Sequence, residues 1–312
     1  MSAENQYSFL RRLFIYQKER FPLLGHGILI FAFTFSAVAY SRMCQGLETF
    51  ISWGMFLPGV FTTVTLFFLL RVFDEHKDKE DDLKYRTYLP VPRGLMSLRE
   101  LRTVGFLIAV IQLVVVFVFH PTMIWFWLLV IGYLLLMGVE FFVPKWLKER
   151  QVLYITSHMV IIPLVDLYAS GLDWWLAGSK PHIGLLFFFG VSYMNGIVLE
   201  LGRKMKAPEK EEAGVVSYTG LYGVVGGPVR WMIVLTVTLC LAVLAAWYAG
   251  HSWPVYLALG LAYALCVLVG FGFIRTKNAK WGKRIEHISG IWALTMYLGL
   301  GGIPMLQGLI MS

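Results

Sequence analysis

The sequence predicts an all-α integral membrane protein with nine transmembrane helices, and three observations carry that prediction. Of its 312 residues 58% are hydrophobic and only 15% charged, against roughly 25% charged in soluble domains, and mean hydropathy is +0.67. Apolar runs long enough to cross a bilayer recur along the whole chain. Lys and Arg gather in alternate loops between those runs, as the positive-inside rule requires.

The runs lie at about 23–40, 50–70, 103–120, 122–143, 152–170, 182–201, 229–249, 254–274 and 287–310. His120-Pro121 is the only break between the third and fourth. Without it the region would be one span far longer than a bilayer needs, so a tight hairpin is predicted there. With the N-terminus in the cytoplasm and the C-terminus outside, all but Arg42 and Lys180 of the 27 Lys and Arg residues fall on the inner side. One missed span would scramble every later loop, so the charges support the helix count independently. The net charge of +8 therefore reads as membrane orientation. No basic stripe lies outside the membrane-flanking loops, and no nucleic-acid partner is expected.

Ahead of the first run, residues 7–21 mix Tyr7, Phe9, Leu10, Leu13, Phe14 and Phe21 with Arg11, Arg12, Lys18 and Arg20. That mixture predicts an interfacial amphipathic helix rather than a cleavable signal. Residues 1–22 thus form a cytoplasmic or interfacial segment, and 23–312 a single transmembrane domain in the cell (inner) membrane. Cys44, Cys240 and Cys266 are scattered and suggest neither a disulfide framework nor a zinc site. Gly226-Gly227-Pro228 reads as a turn before the seventh span. Asp166 and Asp173 read as interfacial groups at the outer end of the fifth span, where Trp174-Trp175 suits the aromatic belt. Glu140 and His158, within the fourth and fifth spans, suit a structural pair and the positioning of a ligand equally.

Two cytoplasmic segments, 71–102 and 202–228, hold the chemistry. In the first, Asp74, Asp78 and Asp82 recur every four residues with Glu75 beside the first. On a helix continuing out of the membrane they would share one face, and such crowding of carboxylates costs like-charge repulsion. A divalent cation removes that cost, and a phosphate arriving with it supplies further oxygen ligands. Glu80 and Asp81 point off that face and read as solvated. The competing reading is a solvated helix of acid–lysine pairs, since Lys77 and Lys79 are interleaved.

Asp74-Glu75-x-x-Asp78-x-x-x-Asp82, followed by Leu89-Pro90-Val91-Pro92-Arg93-Gly94, resembles the UbiA superfamily of intramembrane prenyltransferases. That family has nine transmembrane helices, an Asn-Asp-x-x-Asp-x-x-x-Asp motif at the cytoplasmic end of helix 2, and an Arg-Pro-x-x-x-Gly stretch after it. Here Asp74 stands for the Asn, Glu75 for the first Asp and Leu89 for the Arg. The resemblance implies a helical bundle around a central cavity open to the cytoplasmic side. It implies Mg2+ held by Asp74, Glu75, Asp78 and Asp82, and cations at Arg71, Arg86 and Arg93 that help a polyprenyl diphosphate ionise. Glu75, Asp78, Asp82, Arg86 and Arg93 are then the catalytic set. Tyr154, Tyr193, Tyr218 and Tyr222 offer aromatic faces for the carbocation, and the bundle keeps out water.

The family's second acidic motif, at the end of helix 6, is altered. This chain reads Asn195-Gly-Ile-Val-Leu-Glu200-Leu-Gly-Arg203-Lys204. Glu200 stands for the first acid as a metal ligand. Arg203 and Lys204 occupy the place of the next ones, as fixed cations for diphosphate oxygens. Asn195, Glu200, Arg203, Lys204, Tyr218 and Arg71 form the expected substrate-binding set. The function implied is Mg2+-dependent transfer of an isoprenyl group from a polyprenyl diphosphate to a lipophilic, aromatic acceptor. A terpene cyclase, a glycosyl or phosphoribosyl transferase acting on a polyprenyl phosphate, and a non-catalytic membrane protein or transporter are the alternatives. The clustering of polar residues at one membrane face favours the enzyme over a transporter, whose sites lie mid-membrane.

Overall fold

The computed structural model describes residues 7–311, and among them every regular element is helical. Nine helices or helix pairs are long and apolar enough to cross a membrane: Leu23–Cys44, Trp53–Lys77, Leu98–Phe119, Pro121–Gly138, Gln151–Trp174, Leu185–Arg203, Tyr218–Tyr248, Trp253–Thr276 and Ala279–Gln307. All nine expected runs are accounted for. The chain divides into two compact units, Met1–Phe31 with Ser52–Gln151, and Ala32–Ile51 with Val152–Ser312.

The first unit begins with α1 (Phe9–Arg20), the expected amphipathic helix. Its Tyr16 is fully buried and packs with Phe21, Ile30, Phe68, Val72, Leu95, Met96 and Leu101. The start of α2 (Leu23–Cys44) follows, then α3 (Trp53–Lys77), a short α4 (Lys79–Tyr85), α5 (Leu98–Phe119) and α6 (Ile124–Gly138). α5 opens with a capping box: Ser97 Oγ accepts from the Glu100 amide at 3.2 Å, and the Glu100 carboxylate accepts from the Ser97 amide at 2.8 Å. α3 packs on α5 and α6, with Gly105 letting α5 approach Val72 and Leu69. His120 ends α5, and Pro121–Met123 form one 3₁₀ turn into α6, which is the expected hairpin. The fourth span stops at Gly138 rather than at 143. Glu140, Phe141 and Phe142 take positive φ (47°, 54° and 62°), so the chain leaves the helix before α7 (Pro144–Lys148).

In the second unit α8 (Gln151–Met159) and α9 (Ile161–Trp174) make the fifth span. α10 (Leu185–Arg203) packs on α9, on α11 (Tyr218–Tyr248) and on α13 (Ala279–Tyr297); α12 (Trp253–Thr276) packs on α11 and α13. A π-turn over Leu298–Gly302 joins α13 to α14 (Ile303–Met311). Gly202 on α10 lies against Ser289 and Ile285 of α13, where a Cβ would collide.

Two expectations are corrected. Gly226-Gly227-Pro228 is not a turn but lies inside α11, which starts at Tyr218 because Ser217 caps it through the Gly220 amide (2.8 Å). The backbone break is instead at Gly223, whose φ of 78° and ψ of 162° only glycine adopts readily. Nor are Asp166 and Asp173 interfacial, since both are buried. Asp173 accepts from Ser41 (2.7 Å), Arg42 (2.8 Å) and Gln45 (2.7 Å), a tie between α9 and the end of α2 that draws the acid inward. Asp166 lies on the face of α9 turned into the helices, with 0% exposure.

Candidate active site

The acid row of the first unit does not lie on one continuous helix. α3 ends at Lys77 and α4 begins at Lys79, with Asp78 between them at φ −90°, ψ 7°. Asp74 and Asp78 are consequently part-exposed, whereas Glu75 and Asp82 are buried at 2% and 4%. The face shared by an unbroken helix is thus lost, but the acids remain at the end of the span.

Each acid is matched to a cation. Glu75 Oε1 accepts from Arg20 Nε at 2.6 Å, from Arg71 Nη2 at 3.0 Å and from the Tyr16 hydroxyl at 3.4 Å. Asp74 lies 3.6 Å from Arg71 and 3.5 Å from Lys77, and Asp78 lies 3.8 Å from Lys77. Asp82 meets Arg86 at 3.4 Å. Asp81, on the exposed side, meets Lys148 at 3.4 Å. Arg93 donates both terminal nitrogens to Glu19 at 2.8 Å and one also to the Tyr88 carbonyl at 2.9 Å.

The electrostatics follow from that crowding. Burial raises the Asp78 carboxyl above the ordinary aspartate range, with Lys77 opposing and Asp74 and Asp82 adding to the rise. Burial likewise raises Asp82, against the pull of Arg86 and with Glu75 adding. Arg93 holds the Glu19 carboxyl below its ordinary range.

Tyr16, Glu19, Arg20 and Lys77 are site residues that the sequence reading missed. Arg20 looks like one more inside-positive anchor, and its partner Glu75 lies 55 residues away. The one available signal was an unmatched buried acid beside Arg71, which asks for a second cation.

Divalent-metal binding by this set can be tested against the atoms present. The donors are hard carboxylate oxygens suited to Mg2+. Glu75 Oε2 is buried with no hydrogen-bond partner, an acceptor left open for a ligand. Yet among the described residues no three His, Cys, Asp or Glu side chains converge as a metal-holding group; the acids are instead engaged by Arg71, Lys77 and Arg86. The donor chemistry fits; Asp78 and Asp82 would have to turn from Lys77 and Arg86 to complete it.

In the second unit, the end of α10 gathers Glu200, Arg203 and Lys204. Glu200 Oε2 meets Arg203 at 2.5 Å and Oε1 meets Lys204 Nζ at 2.7 Å, so both its oxygens are engaged by cations. Tyr218 lies beside Glu200, donates its amide to the Lys204 carbonyl at 3.1 Å, and stacks on Tyr222. The loop between is fastened by its own acids. Glu211 accepts from Ser217 (2.6 Å) and Thr219 (2.8 Å), and Glu209 accepts from the Ala279 amide (2.8 Å). Tyr193 donates to the Thr156 carbonyl at 3.2 Å, and Tyr154 stacks on His158. Asn195 lies further back along α10, fully buried beside the Tyr297 phenol of α13.

No protein-family model matches the chain, and no curated protein sequence does. Solved structures do. One is a UbiA homologue from Aeropyrum pernix K1, at 14% identity over 91% of this chain and 97% of that one, with a TM-score of 0.60. Another is a digeranylgeranylglyceryl phosphate synthase, at 15% identity over 93% of this chain and 99% of that one, with a TM-score of 0.59. The chain is a multi-pass membrane protein with the fold of the UbiA superfamily, as the motif at 74–94 implied.

Proposed function

We propose that the protein is an Mg2+-dependent intramembrane prenyltransferase, moving an isoprenyl group from a polyprenyl diphosphate to a lipophilic, aromatic acceptor. The observation that carries this reading is the pairing of buried Glu75 and Asp82 with Arg20, Arg71 and Arg86 at the end of a membrane span, in a chain with the UbiA fold. Desolvating charges at the end of a span is costly even when they are paired, and a highly charged ligand would give them a use.

In the reaction the allylic carbon–oxygen bond breaks and the diphosphate leaves with the electron pair. The acceptor's nucleophilic atom bonds to the carbon and gives up a proton. Arg71, Arg86 and Arg93 exchange their carboxylate partners for diphosphate oxygens, which match a guanidinium fork equally well. Glu75 and Asp82, released from Arg71 and Arg86, and Asp78, turned from Lys77, are the residues that would hold the metal. Magnesium, when bound, neutralises charge on the leaving diphosphate. In the second unit, Arg203 and Lys204, already balanced against Glu200, are a separate pair of cations suited to phosphate oxygens. The apolar helices exclude water from the carbocation. An inward N-terminus, an outward C-terminus and a chamber open to the cytoplasm belong to this reading.

The basic end of α10 favours one second reading, transfer of a phosphosugar group onto a polyprenyl phosphate, because it offers phosphate-binding cations without a matching acidic row. One assay separates the two. Purified protein with magnesium and labelled prenyl diphosphates should release diphosphate and form a prenylated product only when an acceptor is added. Product without acceptor would mean a cyclase. No diphosphate release, with or without magnesium, would remove the prenyltransferase reading and leave the second.

A further inference from the structure

The connection between α12 and α13 in the second unit is short and strongly basic. α12 ends at Thr276, Lys277 takes a left-handed conformation with φ 55°, and Asn278 caps α13 by accepting from the Trp281 amide at 3.1 Å. So tight a turn gathers Arg275 and Lys277 with Lys280, Lys283 and Arg284 at one end of the helix pair. All five are exposed, and residues 275–285 contain no acid. The cations assigned to the candidate active site each have a carboxylate partner. Among the described residues none of these five does. Glu209 reaches this end of α13, but it accepts from the Ala279 amide at 2.8 Å. Arg284 is held in place: its guanidinium lies 4.2 Å from the centre of the Trp281 ring, and that ring rests on Gly272 of α12, where a Cβ would collide.

The surface beside these cations says what would meet them. Leu257, Leu261, Leu265, Leu268 and Phe271 recur at helical spacing along the spanning helix α12, each at least 50% exposed. The next position of that stripe, one turn on, is Arg275. On α13 the exposed Lys280, Arg284 and His287 are followed at the same spacing by Ile291, which is 55% exposed. Both helices thus pass from apolar to cationic toward the same end. A soluble anion would use the cations and leave the stripe idle. A phospholipid uses both, since chains lying on the stripe put its phosphate level with Arg275. Unbalanced positive charge selects an anionic headgroup over a zwitterionic one.

We propose that the α12–α13 turn is a binding site for an anionic membrane phospholipid. Arg275, Lys280, Lys283 and Arg284 hold the headgroup phosphate, and the α12 stripe carries the acyl chains. The site stands apart from the prenyltransferase reading and uses none of its residues.

The test titrates the full-length protein in detergent with dioleoylphosphatidylglycerol, with dioleoylphosphatidylcholine of the same chains, and with sn-glycerol 3-phosphate. Thermal unfolding and native mass spectrometry of retained lipid give the readout. The anionic lipid should bind about tenfold more tightly than the zwitterionic one, and in about 0.5 M salt that preference should shrink toward one. Lys280→Gln with Lys283→Gln should cut it about fivefold or more, with no carboxylate stranded by the change. Arg99→Gln with Arg102→Gln, which removes the same charge from exposed positions on α5, should change it less than about twofold. Equal binding of the two lipids overturns the proposal. An equal loss in both double variants overturns it too, because the turn would then be only a share of the overall positive charge. Glycerol phosphate binding as tightly as the anionic lipid overturns it in favour of a soluble phosphate. The lipid comparison and the salt dependence use the unaltered protein, so they decide the matter even where a variant folds poorly.

Discussion

Glu19 closes on Arg93 through two parallel hydrogen bonds of 2.8 Å, one residue before Arg20 reaches Glu75. The end of α1 thus occupies one cation and one acid of the candidate site together. A carboxylate held this way imitates the oxygen pair of a phosphate. Replacing Glu19 with Gln should free Arg93 and lower the KM for the diphosphate donor about threefold, as befits a part-exposed pair. Steady-state kinetics against donor concentration checks this; a raised KM would mean that Glu19 positions Arg93 rather than competing for it.

Asp78→Asn should separate activity from stability. Turnover with magnesium should fall about 100-fold or more, since a carboxylate at the leaving group is lost. Stability should move the other way. A carboxyl raised above its ordinary value binds its proton more tightly when folded, which favours the fold below the unfolded value near 3.9. That contribution is lost as pH rises through the folded value, so at neutral pH the charged form is a cost. The Asn variant should therefore melt no lower than the unaltered protein at pH 7, and lose any advantage as the pH falls toward 3. Full activity in this variant would remove Asp78 from the metal site.

Arg203→Ala with Lys204→Ala should weaken donor binding about tenfold or more, but the double variant alone is ambiguous. It strands Glu200, whose side chain is only 15% exposed, and breaking such a pair costs about 3–5 kcal/mol. Adding Glu200→Gln should restore the melting temperature and leave donor binding weak. Recovery of both together would make the cluster structural.

Topology is open to direct labelling. In a background without the three native cysteines, Leu47→Cys should react with an impermeant maleimide from outside, and Pro208→Cys only from inside. The opposite pattern would reverse the orientation.

Ser97→Ala should lower stability by about 1 kcal/mol through loss of the capping box on α5, with specific activity of the folded fraction unchanged. Denaturant unfolding alongside the activity assay measures both.

Much of this architecture is written locally in the chain. A span announces itself by its length of apolar sequence, and the hairpin at His120-Pro121 by the residue that cannot continue a helix. The acids at 74–82 were legible for the same reason, as a spacing. What was not legible depends on partners distant in sequence. Arg20 reads as an anchor until Glu75 is beside it, and Asp166 reads as interfacial until α10 and α13 enclose it. The start of α11 was misplaced because Pro228 and its glycines are strong local breakers, while the Ser217 cap and the break at Gly223 depend on how the preceding loop is fastened. The interruption at Asp78 carried no proline or glycine to announce it.

That interruption divides the acid row between two rods. Asp74 and Glu75 ride on the long rod of the span, Asp82 rides on a rod of seven residues, and a single residue joins the two. A change in the backbone at Asp78 would therefore alter the gap between the acids, and Asp82 and Arg86, one turn apart on the short rod, would move together.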